Sequence, residues 1–209
     1  MTGPDQTSLL PGICVSRETE FRLRQFVALV EKWTARINLV SPSSLENIWS
    51  RHVLDSAQLY RYTPDNALHW ADLGSGAGFP GMVICILAQD RPIPLQVTLV
   101  ESDLRKATLL RTAARELGIN PQIISSRIEQ MPSIQADVLS ARALAALPAL
   151  LGYADRHLSK KGVGLFPKGR TAGDEITASR ALWRFDLTSH PSMTDPEARV
   201  LQIENISHV

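Results

Sequence analysis

The chain has 209 residues, of which 44% are hydrophobic and 21% are charged, and this length suits one α/β domain with a sizeable core and at most a small appendage. The 22 lysines and arginines nearly balance the 21 aspartates and glutamates, leaving a formal charge of +1, so composition alone does not indicate a nucleic-acid partner. No secretory signal and no apolar run of roughly 20 residues is present. We therefore expect a cytoplasmic protein that makes no membrane contact.

The two cysteines, Cys14 and Cys85, are far apart and match no metal-ligand or redox spacing. Cys85 falls inside the apolar run from Met82 to Ala88, so we expect it to be a buried, reduced thiol. The sequence predicts no metal site.

The first 65 residues predict a helical cap. Ser16 is a plausible cap for a helix over residues 17–37, and Pro42 interrupts the pattern. Helical spacing resumes over residues 45–62 and ends at a turn signal over residues 63–66.

From residue 67, short apolar runs alternate with amphipathic segments, which predicts a mainly parallel sheet covered by helices on both faces, in one compact unit over residues 66–209. The predicted strands are 67–73, 95–101, 121–125, 135–140 and 162–167, and the predicted helices are 80–89, 103–117, 143–159 and 171–182. The tail alternates at 183–187 and 199–204, so we expect it to pair antiparallel at an edge of the sheet.

A glycine-rich stretch, WADLGSGAGFPG, follows the first predicted strand directly. It places Gly74, Gly76 and Gly78 at the carboxyl end of a strand, where open α/β sheets bind ligands. Glycine permits positive φ and lets a ligand approach the main chain, while the next helix offers unpaired N–H groups. The stretch therefore predicts a ligand-binding loop, although a glycine loop that only turns tightly is an alternative.

Two cofactors compete for this loop. Gly76, Gly78 and Gly81 satisfy the dinucleotide pattern G-x-G-x-x-G, with Glu101 as a ribose acceptor, which would indicate NAD. The strand ends at Leu73, however, so Asp72 stands two places before the first turn glycine and is expected to face the ligand. A carboxylate there repels pyrophosphate and attracts the sulfonium and ammonium of S-adenosylmethionine. The register favours S-adenosylmethionine, with Glu101 on the ribose hydroxyls.

Several blocks in chain order resemble one family, the bacterial small-subunit rRNA guanine-N7 methyltransferases called RsmG or glucose-inhibited division protein B. The resemblance covers about residues 25–185 and is carried by Trp33 to Leu39, Arg51 to Ser56, Asp72 to Gly81, Glu101 to Leu110, Arg127 to Glu129, Asp137 with Arg142 and Ala143, and Lys168 and Gly169 with Glu175.

The resemblance implies a Rossmann-like, class I S-adenosylmethionine-dependent methyltransferase fold. It implies methyl transfer to guanine N7 at one site of 16S rRNA, position 527 by family analogy, with 16S rRNA or the small ribosomal subunit as partner. The family's cofactor contacts fall on Gly74, Phe79, the Ile128 and Glu129 pair, and Arg142, with Glu101 at the ribose.

Guanine N7 carries a lone pair and no proton, so the reaction needs alignment more than a general base. We expect Arg142, which follows the fourth strand, to act in catalysis by orienting either the cofactor or the guanine O6 and N7 edge. His52 and Asp55 lie on one helical face, where a local structural pair and a substrate-side role are both open.

Clustered basic residues should hold the RNA, despite the small net charge, through phosphate contacts that position it without reading its sequence. Beside His52, the candidates are Arg51, Arg105, Lys106, Lys160, Lys161, Lys168 and Arg170, expected near strand ends and adjacent loops. Specificity would come from RNA shape, with the target base exposed or flipped out. We expect a monomer. The alternatives are an NAD-dependent oxidoreductase, a noncatalytic ribosome-assembly RNA binder and a small-molecule methyltransferase.

Overall fold

The computed structural model describes residues 13–37 and 39–209; Asn38, part of one of the family-like blocks, lies outside the described residues. One sheet contains seven strands, β1 (His69–Leu73), β2 (Gln96–Val100), β3 (Gln122–Ile124), β4 (Ala136–Ser140), β5 (Leu158–Lys168), β6 (Trp183–Pro191) and β7 (Arg199–His208). Their order is β3-β2-β1-β4-β5-β7-β6. The first five strands are parallel, and β7 is antiparallel to both neighbours.

This sheet confirms the predicted parallel architecture and the antiparallel tail. The last strand, β7, is not at the edge, however, because it lies between β5 and β6. Strand β5 begins at Leu158 rather than near residue 162, so it includes Lys160 and Lys161 at its amino end.

The helices are α1 (Arg17–Thr34), α2 (Pro42–Leu45), α3 (Asp55–Ala57), α4 (Gly81–Leu87), α5 (Leu104–Leu117), α6 (Leu147–His157) and α7 (Ala172–Arg180). A π-helical turn (Trp49–Leu54) precedes α3 and a 3-10 turn (Gln58–Tyr62) follows it, so the predicted second helix is three joined turns. The predicted start of α6 at residue 143 was wrong, because Ala143 has a φ of 53° that no α-helix accommodates.

Side-chain caps fix the ends of two long helices. The Ser16 hydroxyl accepts from the Thr19 N–H at 3.1 Å, as the sequence predicted, and also donates to Asp90, tying α1 to the turn after α4. The Asp103 carboxylate caps α5, which ends at Gly118 with a φ of 63°.

Two hydrophobic clusters hold the helices against the sheet. The first joins the N-terminal helices to the sheet through Phe26, Trp70 and Met82, and the second includes Leu139 and Phe166. Cys85 lies in the first cluster, where burial raises the pKa of its thiol to about 12, so the expected buried thiol is confirmed.

Within the described ranges, no helix is both long and apolar enough to cross a bilayer. In the same part of the chain, no group of three or more His, Cys, Asp or Glu side chains is arranged around a possible metal ion.

Candidate active site

The carboxyl ends of the parallel strands bring the predicted loops to one edge of the sheet. Gly74 follows β1, Glu101 follows β2, and Arg142 lies two residues after β4. Because β1 pairs with both β2 and β4 in parallel, these three positions share the edge where open sheets bind ligands.

The glycine loop uses positive φ at Gly74 (67°), Gly76 (56°) and Gly78 (100°). A Cβ on Gly78 would lie 2.7 Å from Met82 Cγ and 2.8 Å from Phe26 Cζ, so that glycine permits close packing of α1 and α4. A Cβ on Gly76 would meet nothing closer than 3.8 Å. Gly76 therefore leaves its main chain open to a ligand, while Gly78 serves the core.

Beside the loop lies a cavity of about 350 Å³, here called the glycine hollow. Five predicted cofactor residues line it: Gly74, Gly76, Glu101, Ile128 and Glu129. Lys106, Leu144 and Tyr153 also line it. This volume falls within the range of small-molecule sites, so the structure brings together the central part of the predicted binding site.

The Glu101 carboxylate is 7% exposed and braces the loop. Its Oε2 accepts from the Gly76 N–H at 2.8 Å, and its Oε1 accepts from the Asp103 N–H at 2.7 Å. Each carboxylate oxygen keeps a further lone pair, so Glu101 can still accept from a pair of ligand hydroxyls. The free acceptors of Glu101, next to a Gly76 main chain that no side chain covers, fit the ribose hydroxyls of S-adenosylmethionine.

Asp72 does not face the glycine hollow, contrary to the expectation from the register. Its side chain is fully buried, with Oδ1 accepting from the Ser140 hydroxyl at 2.7 Å and Oδ2 from the Gly81 N–H at 3.1 Å. Burial raises its pKa to about 6, against the lowering effect of the hydrogen bonds from Ser140, Ser75 and Gly81. Asp72 therefore holds the start of α4 to β4 and shapes the loop from behind.

Gly78 and Phe79 also lie outside the lining of the glycine hollow. The Phe79 ring is buried, 5.2 Å from the Phe26 ring and stacked on the His52 ring at 5.0 Å between centroids. The Arg142 guanidinium lies 5.6 Å from the same ring. The Phe79 side chain thus supports the neighbouring residues, and a cofactor contact through its ring has no support from its position.

Arg142 lines a second, larger cavity of about 730 Å³, here called the arginine cavity. Arg142 is also not part of the glycine-hollow lining, so its predicted cofactor contact has no support from that lining, and the geometry favours the alternative role at the substrate. Its Nη1 donates to the Arg51 carbonyl at 2.9 Å and to Asp55 Oδ2 at 3.1 Å, and its Nη2 donates to His52 Nδ1 at 2.6 Å.

His52 and Asp55 meet through Arg142 rather than as a local pair. Burial, followed by the charges of Arg142 and Arg51, lowers the pKa of His52 to about 4, so the ring is neutral at physiological pH. Its Nδ1 then accepts from Arg142 and its Nε2 carries the proton. Nε2 is buried and has no hydrogen-bond partner among the residues that the structure describes.

The loop between β6 and β7 completes the support for Arg142. Asp55 Oδ1 accepts from the Gln58 amide at 2.8 Å and from the Thr194 hydroxyl at 3.1 Å. The side-chain Oε1 of Gln58 in turn accepts from the Met193 N–H at 2.8 Å. Gln58 and Thr194 were missed from the sequence, because no local motif marks them and because the contacts of Gln58 with Met193 and of Thr194 with Asp55 join residues far apart along the chain.

Of the predicted RNA residues, Lys168 has its charge already engaged. Its Nζ donates to Glu175 Oε2 at 2.7 Å and to the Ala145 carbonyl at 2.8 Å, and its side chain is 10% exposed. Hydrogen bonds from Lys168, from the Leu147 N–H and from Thr171 lower the pKa of Glu175 against the effect of burial. Lys168 also lines the arginine cavity, but its ammonium is held by these two contacts and fixes the turn before α6, so its phosphate contact stays a prediction.

The remaining basic candidates divide by position. Arg51, Arg105 and Arg170 are exposed, with Arg105 paired to Asp103 and Arg170 to Glu197. Lys106 lines the glycine hollow. The expected clustering of Lys160 and Lys161 with the others is wrong, since both lie at the amino end of β5, opposite the ligand edge.

Glu129 has a partner that the sequence did not indicate. The Tyr153 hydroxyl, from α6, donates to Glu129 Oε1, and both residues line the glycine hollow. This hydrogen bond lowers the pKa of Glu129 and raises the pKa of Tyr153. Glu129 is thus held as a carboxylate at the wall of the hollow, available to accept a hydrogen bond.

Comparison with known proteins shows the family to which the chain belongs. A model of the family described as GidB, rRNA small subunit methyltransferase G, matches residues 19–202. Relatives named ribosomal RNA small subunit methyltransferase G are 50% identical in Cereibacter sphaeroides, covering 98% of this chain and 99% of the relative, and 49% identical in Ruegeria pomeroyi, covering 93% and 95%.

Solved structures share the fold at low identity. A ribosomal protein L11 methylase from Lactobacillus delbrueckii subsp. bulgaricus matches with a TM-score of 0.58 at 17% identity, over 74% of this chain and 78% of that one. A TehB-like methyltransferase dependent on S-adenosylmethionine, from Corynebacterium glutamicum, matches with a TM-score of 0.58 at 14% identity, over 85% and 98%. The predicted class I, Rossmann-like methyltransferase fold is therefore confirmed. The chain belongs to the rRNA small subunit methyltransferase G family.

Proposed function

We propose that this protein transfers the methyl group of S-adenosylmethionine to N7 of one guanine in the small-subunit rRNA, the guanine at position 527 of 16S rRNA as the resemblance implies. The observation that carries the proposal is the meeting of two cavities. The glycine hollow and the arginine cavity share Ala143 and Leu144 in their linings, so a cofactor in one would lie next to a base in the other.

The glycine hollow provides the cofactor side. When bound, S-adenosylmethionine supplies a methyl group activated by its sulfonium. Glu101 accepts from the ribose hydroxyls, Glu129 accepts from the adenine amine, and the Gly74 and Gly76 main chain lies against the ligand. Glu101 and Glu129 would bind the adenosine of NAD as well as that of S-adenosylmethionine, so this wall does not choose between the two cofactors. Membership of a family named for rRNA methyl transfer makes NAD-dependent oxidation the weaker candidate.

The arginine cavity provides the acceptor side. Arg142 has five N–H donors, and three are used by the contacts to Arg51, Asp55 and His52. The two N–H groups that remain can donate to O6 of guanine, which orients the base and leaves the N7 lone pair free to attack. Since N7 has no proton to lose, alignment supplies most of the acceleration.

Exposed arginines around this edge hold the RNA. Arg51 lines the arginine cavity, and Arg105 and Arg170 lie on α5 and just before α7. Their contacts go to phosphates, which position the RNA without reading its sequence. A base flipped out of a folded RNA then enters the cavity. We also propose that the protein works in the cytoplasm as a monomer and that the N-terminal region, described over residues 13–37 and 39–65, is a helical cap on a methyltransferase unit over residues 66–209.

One assay tests the whole proposal. Small ribosomal subunits that lack the modification are incubated with the protein and S-adenosylmethionine carrying a labelled methyl group, and the labelled nucleotide is mapped. We expect label on N7 of a single guanine. In a separate titration, binding of NAD without binding of S-adenosylhomocysteine would refute S-adenosylmethionine as the cofactor. RNA binding without label would favour the assembly factor, and label in a metabolite would favour a small-molecule substrate.

A further inference from the structure

Leu144 stands at the boundary between the glycine hollow and the arginine cavity and lines both. A Cβ built on Gly74 would lie 2.7 Å from Leu144 Cδ1, so the leucine side chain packs directly over the first glycine of the loop. Leu144 is partly buried, and its other side rests on the second hydrophobic cluster. One apolar side chain thus forms part of the wall between the two spaces.

The backbone conformation at Ala143 determines where the Leu144 side chain lies. Ala143 adopts a φ of 53°, a left-handed conformation that few residues other than glycine adopt. Because of this turn, the Arg142 side chain enters the arginine cavity while the Leu144 side chain lies over Gly74. Three hydrogen bonds anchor Arg142, so the turn and Leu144 are held in place from one side.

Methyl transfer requires the two reactants to meet at this wall. The N7 lone pair forms the new N–C bond while the C–S bond breaks, and the C–S electron pair stays on sulfur. The positive charge passes to the guanine ring, and no proton moves. The reacting atoms must approach to about 3–3.5 Å in line, and Ala143 and Leu144 are the residues shared by both linings.

We infer that Leu144 forms the side wall of the methyl-transfer passage, touches both the cofactor and the acceptor base, and sets their alignment. The inference rests on the proposed function. A leucine suits this place because it has no lone pair to compete for the methyl group. Its apolar surface also excludes water from the passage.

The test is a graded series at this position, comparing wild type with Leu144→Ile, Leu144→Val and Leu144→Ala. The matched control is Leu182→Ala, an exposed leucine that lines neither cavity. For each protein we would measure kcat and KM on unmodified small subunits, the Kd of S-adenosylhomocysteine by calorimetry, and the melting temperature.

We expect kcat to fall in the order Ile, Val, Ala, and by about 100-fold for Leu144→Ala, the loss expected when reacting groups are misplaced by about 1 Å. The Kd of S-adenosylhomocysteine should change much less than kcat, and Leu182→Ala should match wild type. If Leu144→Ala is too unstable to assay, the graded loss at Ile and Val still tests the idea.

Two outcomes would overturn the inference and can be told apart from failure of the proposed function. Wild-type kcat in Leu144→Ala, with wild type active, would show that Leu144 does not align the reactants. A loss of affinity for S-adenosylhomocysteine as large as the loss of kcat would restrict Leu144 to the cofactor site. Wild-type protein that fails to label rRNA would instead overturn the proposed function, and this inference with it.

Discussion

Arg142 and Asp55, 87 positions apart in the sequence, form an ion pair of 3.1 Å in which both side chains are less than one fifth exposed. The pair joins the turn after β4 to α3. Because Asp55 also holds Gln58 and Thr194, the orientation of Arg142 depends on the N-terminal helices and on the loop between β6 and β7. The residue proposed to hold the guanine is therefore positioned by two distant parts of the chain.

Replacing Arg142 by alanine should lower kcat/KM for small subunits by about 100-fold, the scale of losing one hydrogen bond to a charged group. The affinity for S-adenosylhomocysteine should stay near wild type, because Arg142 does not line the glycine hollow. Arg184→Ala, at an exposed position on β6, is the matched control. Loss of S-adenosylhomocysteine binding in Arg142→Ala would return this residue to the cofactor site.

The Asp55 carboxylate should act through Arg142. We expect Asp55→Ala to lower kcat/KM by about 10-fold in the wild-type background and to add little in the Arg142→Ala background, because residues in one network are not additive. A double-mutant cycle on kcat/KM measures this coupling. Fully additive effects would mean that Asp55 contributes independently of Arg142.

Gly74→Val should abolish cofactor binding while the protein stays folded. The new side chain would enter a backbone with a φ of 67° and collide with Leu144, at the wall of the glycine hollow. Gly118→Val is the matched control, since Gly118 has a φ of 63° but open space around it. Calorimetric titration with S-adenosylhomocysteine should show binding for the control and none for Gly74→Val. Equal binding by both variants would contradict the assigned site.

The free energy of unfolding should depend on pH through the titration of the buried Asp72. Its pKa is about 6 in the folded state against 3.8 for the ordinary carboxyl, so the folded state binds more protons between these values. This group therefore lowers the free energy of unfolding as pH rises through that window. The difference in unfolding free energy, wild type minus Asp72→Asn, should fall by about 2 kcal/mol between pH 4 and 7.

Urea unfolding at several pH values measures this difference. His52, whose folded pKa is lowered to about 4, contributes the opposite slope, with stability rising as pH rises from about 4 to 6.5. Subtracting the variant removes that contribution, because His52 is present in both proteins. A difference that does not change with pH would show that Asp72 is not the titrating group.

The salt dependence of RNA binding should distinguish the basic residues that contact RNA from those that stabilise the fold. We expect Arg105→Ala and Arg170→Ala each to lower the slope of log K against log salt by about one phosphate contact. Lys168→Ala should leave the slope unchanged and lower the melting temperature, because it leaves the partly buried Glu175 without its cation. A reduced slope for Lys168→Ala would restore it to the RNA surface.

The sequence was informative where the signal is local. Gly74, Gly76 and Glu101 follow directly from the ends of predicted strands, and the structure places them in one cavity. Asp72 was misjudged because a register argument gives the position of a residue along a strand but not the face to which its carboxylate turns. The face was decided by Ser140, on the neighbouring strand, and by the Gly81 N–H.

Other features depend on partners that no local pattern reveals. Lys168 was expected from the sequence to contact phosphate. Its ion pair with Glu175 was not foreseen, although both residues belong to one of the family-like blocks. Lys160 and Lys161 were misplaced because β5 starts four residues before its apolar run, and a polar strand start gives no hydrophobic signal. The position of β7 inside the sheet depends on competition between strands, which alternation along one strand does not reveal.

The insertion of β7 between β5 and β6 imposes an order on folding during translation. In the part of the chain that the structure describes, β6 borders the sheet through β7 alone, and β7 is synthesised after it. Until residues 199–208 emerge from the ribosome, β5 has an open edge and β6 has no neighbour to pair with. A nascent chain or a truncated product without β7 would therefore expose two unpaired strands, a state prone to aggregation and to capture by chaperones.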